Sequence, residues 1–196
     1  MVKNKKKVLI LGGTGFLGNE ISMLLNHKGL DVFSVSNIAR DKKNETAGIK
    51  YLYLQKKEDQ KSFFNKKSYD YIINLIGYVD HRKFFQGGNE VIHNHLFLPI
   101  NLLSKLNLKK TKTILNISSS DEYGMQKSPQ SEALREDPLS PYAFSKTALN
   151  YFFQMIAKTE DISVLNLRPF LIYGPGQKTN RLIPYLIEAA KQNKKI

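Results

Sequence analysis

The segment Gly12-Gly13-Thr14-Gly15-Phe16-Leu17-Gly18 follows directly on the apolar run Val8-Leu9-Ile10-Leu11 and leads into a helix-like stretch, Asn19 to His27. A strand, a glycine-rich turn and a helix in that order leave the chain few folds to choose from. The end of the strand meets the start of the helix, where free N–H groups and the positive end of the helix dipole can receive an anion. Gly12 allows the tight turn out of the strand. Gly15 lets backbone come close to phosphates, and Gly18 lets the helix pack on the sheet. The spacing is G-x-x-G-x-x-G. Its placement between strand and helix makes Gly12, Thr14, Gly15, Phe16, Leu17 and Gly18 candidate contacts to a dinucleotide.

The rest of the chain continues the alternation. Strands are expected at Val8–Leu11, Val32–Val35, Ile49–Leu54, Tyr71–Ile76, Thr113–Ser118 and Val164–Leu167. Helices are expected at Gly15–Asn26, Glu58–Lys66, Glu90–Leu106, Pro141–Lys158 and Arg181–Gln192. Short apolar runs separated by helical patterns predict an α/β fold, a Rossmann-type doubly wound parallel sheet. Strand order 3-2-1-4-5-6 would open a ligand crevice between the first and fourth strands. The polar segment Gln126–Pro141 reads as a long loop, a length that usually serves function. The 196 residues suffice for one domain.

Composition narrows the function classes. No run approaches the roughly 20 apolar residues of a membrane span, and the basic start Met1-Val2-Lys3-Asn4-Lys5-Lys6-Lys7 lacks the apolar core of a signal peptide. Cysteine is absent, which excludes disulfides, thiolate catalysis and cysteine-held metal and fits a reducing cytoplasm. The net charge of +13 raises nucleic acid as a partner. Its lysines are scattered over loops and helix ends, however, and predict no nucleic-acid stripe. His27, His81, His93 and His95 make no convincing metal set. His93 and His95 are two apart on an expected helix and face different ways.

Tyr142 and Lys146 are four residues apart near a helix start, so both side chains lie on one helix face. The pattern is open to two readings: a tyrosine packing over a lysine stem, or a catalytic pair. In the second, the ammonium favours the phenolate and lowers the Tyr142 pKa. The phenol can then trade a proton with a hydroxyl or carbonyl while hydride moves to or from a nicotinamide. Ser118-Ser119-Ser120 ends the fifth strand at the carboxyl edge, where such a sheet binds ligands. Asp121 and Glu122 are open to two readings, solvation of the turn that follows, which is favoured, or a base at Asp121.

Four ordered segments carry a resemblance. They are Gly12–Gly18, Ser118-Ser119-Ser120-Asp121-Glu122-Tyr123-Gly124, Ser140-Pro141-Tyr142-Ala143-Phe144-Ser145-Lys146 and Leu167-Arg168-Pro169-Phe170-Leu171-Ile172-Tyr173-Gly174-Pro175-Gly176. Over nearly its whole length the chain resembles an extended short-chain dehydrogenase/reductase of the NAD-dependent epimerase/dehydratase family. The resemblance implies that Tyr142 and Lys146 are catalytic, with the lysine also holding the nicotinamide ribose. It implies Ser119, four residues before Tyr123, as the catalytic serine, with Ser120 as the near alternative. Gly77 and Pro169 become cofactor contacts. The family's supporting asparagine would fall near Asn94 or His95. A nucleotide-linked sugar becomes the substrate, and a homodimer is possible. The string from Ser119 to Gly124 is similar to that of reductases acting on 4-keto-6-deoxy sugars.

The cofactor type is read after the second strand. Gly18 plus 18 residues lands on Ser36, the family's usual aspartate position. Ser36-Asn37 offers no acid, while Arg40, Lys42 and Lys43 follow. An acid there would favour NAD; its absence with basic residues nearby favours NADP, with NAD still possible. Family members usually carry a further substrate lobe, and residues 177–196 resemble only its start, so the fold is expected to be C-terminally incomplete. Two functions therefore compete: an oxidoreductase or epimerase using acid–base chemistry and hydride transfer, or a non-catalytic dinucleotide-binding module, an inactive fragment of such an enzyme.

Overall fold

The computed structural model describes residues 5–39, 41–64 and 68–194. Six strands, β1 (Lys7–Leu11), β2 (Asp31–Ser36), β3 (Lys50–Tyr53), β4 (Tyr71–Asn74), β5 (Thr113–Ile117) and β6 (Ser163–Leu167), form one parallel sheet in the order β3-β2-β1-β4-β5-β6. That is the expected order. It leaves the carboxyl ends of β1 and β4 side by side, with Leu11 paired to both Val35 and Asn74. The helices are α1 (Phe16–His27), α2 (Lys57–Phe64), α3 (Gly88–Ile92), α4 (Leu98–Ser104), α5 (Pro141–Thr159) and α6 (Leu182–Lys191).

Both faces of the sheet are covered, so its strands are apolar in successive residues rather than alternately. In β1, Leu9 and Leu11 turn to one face and pack with Leu102 and Leu103 of α4 and Leu149 and Phe153 of α5. Val8 and Ile10 turn to the other, against Ile21, Met23 and Leu25 of α1. On β6 the pattern changes: Val164 packs on the core, while Leu165 and Leu167 stand 53% and 45% exposed.

The expected helix Glu90–Leu106 is the main departure. It is interrupted by a π-helical turn, His93–Phe97, between α3 and α4. Periodicity in the sequence gives no sign of it, because one wide turn shifts the register by a single residue. Such turns often sit at functional sites, and this one carries His95 to the sheet's ligand edge. The end of the expected helix Glu58–Lys66, at Lys66, lies outside the described residues. Among those that are described, no helix is long and apolar enough to cross a membrane.

Candidate active site

The glycine turn is held by backbone contacts. Gly12 and Gly13 donate their N–H groups to the Val35 carbonyl at 2.9 and 3.0 Å. Gly12 has a φ of 82°, and a side chain there would press on the Leu75 carbonyl 2.9 Å away. Gly18 is the tightest of the three motif glycines: a Cβ would lie 2.3 Å from the Gly12 oxygen. It packs on the glycine turn itself rather than on the sheet expected from the sequence. Gly15 caps α1 and is exposed; a Cβ there would meet only the Gly12 oxygen, at 3.3 Å. Its glycine is therefore required by something outside the turn more than by the turn.

Beside the turn runs a cleft of about 580 Å³, between the ends of β1, β2 and β4. Of the expected cofactor contacts, Gly12, Thr14, Gly15, Ser36, Asn37 and Gly77 line it. Phe16, Leu17, Gly18, Tyr142, Lys146 and Pro169 do not. Phe16 instead sits beside Gly174, and the Pro169 carbonyl accepts from the Ser120 N–H at 3.1 Å. Arg40 lies outside the described residues. The Thr14 hydroxyl donates to Ser36 Oγ at 2.7 Å, tying the glycine turn to the end of β2.

Tyr142 and Lys146 are carried by α5, and Lys146 meets the cleft at Gly77. Ser140 caps that helix by accepting from the Ala143 N–H at 3.1 Å, and Pro141 occupies its first turn. Tyr142, Lys146, Leu149, Asn150 and Phe153 make its buried stripe. Lys146 Nζ donates to the carbonyls of Ile76 and Ile117 at 3.1 and 3.2 Å. It abuts Gly77, where a Cβ would come within 3.0 Å of it. Burial lowers the Lys146 pKa to about 8, against an opposing pull from the Glu122 charge.

The Tyr142 phenol goes the other way from the sequence expectation. Burial raises its pKa above the ordinary value, and a hydrogen bond with the Ser119 side chain works to lower it. Lys146 lies 5.9 Å from the ring centroid, with its charge spent on the two carbonyls. Tyr142 is consequently a neutral phenol at neutral pH in this structure. The Ser119 hydroxyl faces it and also accepts from the Asp121 N–H at 3.2 Å. Ser118 is turned away and donates to Glu122. Of the three serines, Ser119 is the one that meets the tyrosine.

Glu122 corrects the expectation of a solvated turn. It is fully buried and bonded to the Ser118 hydroxyl, to Asn150 Nδ2 at 2.5 Å and to Arg168 Nε at 2.9 Å. Arg168 also pairs with Glu136. An amide ladder continues from Asn150 into the sheet: Asn116 donates to both Asn150 and Asn166 at 3.0 Å and accepts from Asn74 at 2.8 Å. Asp121 does stay at the surface, bonded to His81 Nε2 at 2.6 Å. His81 and His95 both stand edge-on to the Tyr142 ring, at 5.7 and 5.2 Å.

Between the alternatives Asn94 and His95, the structure selects His95 for the position beside Gly77. Its Nδ1 lies 2.7 Å from the Val91 carbonyl, and its Nε2 is 2.9 Å from the Tyr78 N–H. The same Nε2 is 2.9 Å from the Tyr78 carbonyl, and burial depresses the pKa of the ring. Asn94 reaches the Tyr78 hydroxyl instead. The paired asparagines carried no motif in the sequence, and Glu122, though inside the Ser118–Gly124 segment, gave no sign of its burial. The one available signal was an ionisable residue, Glu122, with an arginine following β6.

The pattern shared by the NAD dependent epimerase/dehydratase family matches residues 8–196. The chain belongs to that family. A member from rice (Oryza sativa subsp. japonica), UDP-glucose 4-epimerase 3, is 28% identical over 93% of this chain and 56% of its own length. The dTDP-D-glucose 4,6-dehydratase of Dictyostelium discoideum is 26% identical, over 97% of this chain and 49% of that protein. The fold of the epimerase/dehydratase chain matches the UDP-N-acetylglucosamine 4-epimerase of Methanobrevibacter ruminantium M1, with a TM-score of 0.82 at 21% identity, covering 97% of this chain and 64% of that one. The chain thus spans about half the length of these curated relatives.

Proposed function

We propose that this chain binds NAD(P) in the cleft beside the glycine turn and serves hydride transfer on a nucleotide-linked sugar, with Ser119, Tyr142 and Lys146 as the catalytic residues. One observation carries the reading. Ser119 lies close enough to Tyr142 to act on its phenol at the carboxyl edge of the sheet, and buried Lys146, one helical turn on from Tyr142, abuts the cleft-lining Gly77. The relatives support the substrate class, since the rice protein is named for a UDP-sugar and the Dictyostelium protein for a dTDP-sugar. The cleft suits the cofactor: its glycines leave room for phosphates, and no carboxylate is among the described residues that line it.

When bound, the nicotinamide supplies or accepts the hydride. Tyr142 gives its phenolic proton to the sugar oxygen in reduction and takes it back in oxidation. The Ser119 hydroxyl orients that same oxygen. Lys146 favours the phenolate once the proton has left. The resting phenol, held neutral by burial, is ready as a donor. The string Ser119–Gly124, similar to that of reductases acting on 4-keto-6-deoxy sugars, favours reduction of a 4-keto sugar over epimerisation. Turnover of NADPH and NADH against a panel of nucleotide-linked 4-keto sugars and their 4-hydroxy counterparts tests the reading. Consumption with none of them would overturn it.

Gly15→Val places its side chain into the space left for phosphates, with little to strike inside the turn. Dinucleotide affinity should fall more than about tenfold while the melting temperature stays near that of the parent. Calorimetric titration showing unchanged binding by a folded variant removes the glycine turn from the site.

We also infer NADP as the preferred cofactor, from Ser36 and Asn37 at the end of β2. Ser36→Asp should reverse the preference. Its carboxylate would accept from the ribose hydroxyls of NAD and repel a 2′-phosphate. Paired titrations of the parent with NAD and NADP decide the point: tighter NAD binding by the unmodified chain contradicts it.

A further inference from the structure

The chain leaves β6 and returns across the mouth of the cleft before α6 begins. Gly174 comes beside Phe16 of the glycine turn, at 3.7 Å from a Cβ position to the Phe16 ring. The loop is braced there. Gln177 donates its side-chain N–H to the Ile172 carbonyl at 3.1 Å, and its backbone N–H to the Gly174 carbonyl at 3.3 Å. The Lys178 carbonyl accepts from the Arg181 N–H at 3.1 Å, on the way into α6. These bonds engage the backbone of Lys178, which is exposed and lines the cleft together with Gly12, Thr14 and Gly15.

Lys178 is the one charged side chain among the described residues that line the cleft. No carboxylate among the described residues forms an ion pair with it. A pyrophosphate brings two negative charges, and the N-terminus of α1 offsets only about half of one. An ammonium on a flexible stem is suited to the remainder as a point charge.

We propose that Lys178 is a phosphate-binding residue of the cleft, reaching across from the β6–α6 loop to the pyrophosphate of the dinucleotide. The inference rests on the dinucleotide reading of the cleft given above. It adds a contact from an element that follows the whole sheet in sequence and lies outside every glycine motif. The 2′-phosphate of NADP offers the same chemistry. Lys178, however, keeps company with Gly12, Thr14 and Gly15 of the turn that faces the pyrophosphate.

Calorimetric titration of the 196-residue chain with NAD, NADP, ADP-ribose and adenosine tests this. Lys178→Ala should weaken NAD, NADP and ADP-ribose alike, by about five- to twentyfold, the scale of a charge-assisted contact to phosphate. Adenosine should be unaffected. Lys178→Arg should recover most of the affinity, and Lys178→Glu should lose more than Lys178→Ala. The dependence of affinity on salt should flatten in Lys178→Ala. Lys109→Ala, at the opposite end of the sheet, should match the parent. A loss confined to NADP moves the lysine to the 2′-phosphate and overturns the pyrophosphate assignment. Equal binding by Lys178→Ala and the parent overturns the proposal while leaving the cleft as a dinucleotide site. Failure of the parent to bind any dinucleotide overturns both.

Discussion

Tyr142→Phe is expected to lower the turnover number on a nucleotide-sugar substrate by about a hundred- to ten-thousandfold, the usual worth of a positioned acid–base group. The substitution removes one hydroxyl and keeps the ring. The edge-on contacts to His81 and His95 and the place of the ring in the buried stripe of α5 therefore survive. Cofactor affinity should stay within about threefold of the parent, well under 1 kcal/mol. The measurement is steady-state turnover beside a cofactor titration of the same preparation. Near-normal turnover on an identified substrate would sink the catalytic assignment of Tyr142. The fold and the cleft would stand.

Arg168→Met should be the most damaging substitution for stability. Arg168 is 11% exposed, Glu122 is fully buried and Glu136 nearly so, so removing the guanidinium takes the cationic partner from two carboxylates inside the protein, Glu122 the deeper. Loss of one partner from a buried pair costs about 3–5 kcal/mol. In a domain of this size each kcal/mol moves the melting temperature by roughly 2–4 °C, so a fall of roughly 6–20 °C is expected. The double variant Arg168→Met with Glu122→Gln should be more stable than Arg168→Met alone, since it leaves no lone charge at Glu122. Thermal unfolding of the four proteins closes the cycle. If Arg168→Met melts within a degree or two of the parent, the pair does not hold the Ser119 turn in place.

The candidate site was legible in the sequence wherever chemistry depends on short spacing along the chain. Tyr142 and Lys146 are four apart, and any helix puts them on one face. Ser119 follows a strand that ends at the ligand edge, and the glycines announce their turn by position alone. What the sequence did not disclose involves residues far apart in the chain. Asn74, Asn116, Asn150 and Asn166 come from three strands and a helix, and none of them belongs to a local pattern. Glu122 looks like any polar turn residue until Arg168 arrives from 46 residues away. The sign of the Tyr142 shift was misjudged for the same reason. The pairing with Lys146 is visible in the sequence, but the depth of burial and the two carbonyls that take up the ammonium are not.

Fold class, strand order and the family were determined by the sequence alone, because they follow from the apolar period, from glycine's freedom to turn and from four motifs in order. The tertiary structure alone decided which serine lies by the tyrosine, which of Asn94 and His95 faces Gly77, and that Lys178 is among the residues lining the cleft. Each of these depends on where separate elements end against one another. A π-helical turn shifts one residue to the ligand edge, and a loop brace fixes one lysine at the cleft. Desolvation, which sets the protonation of Tyr142 and Lys146, is a property of the packed interior and has no counterpart in the linear chain.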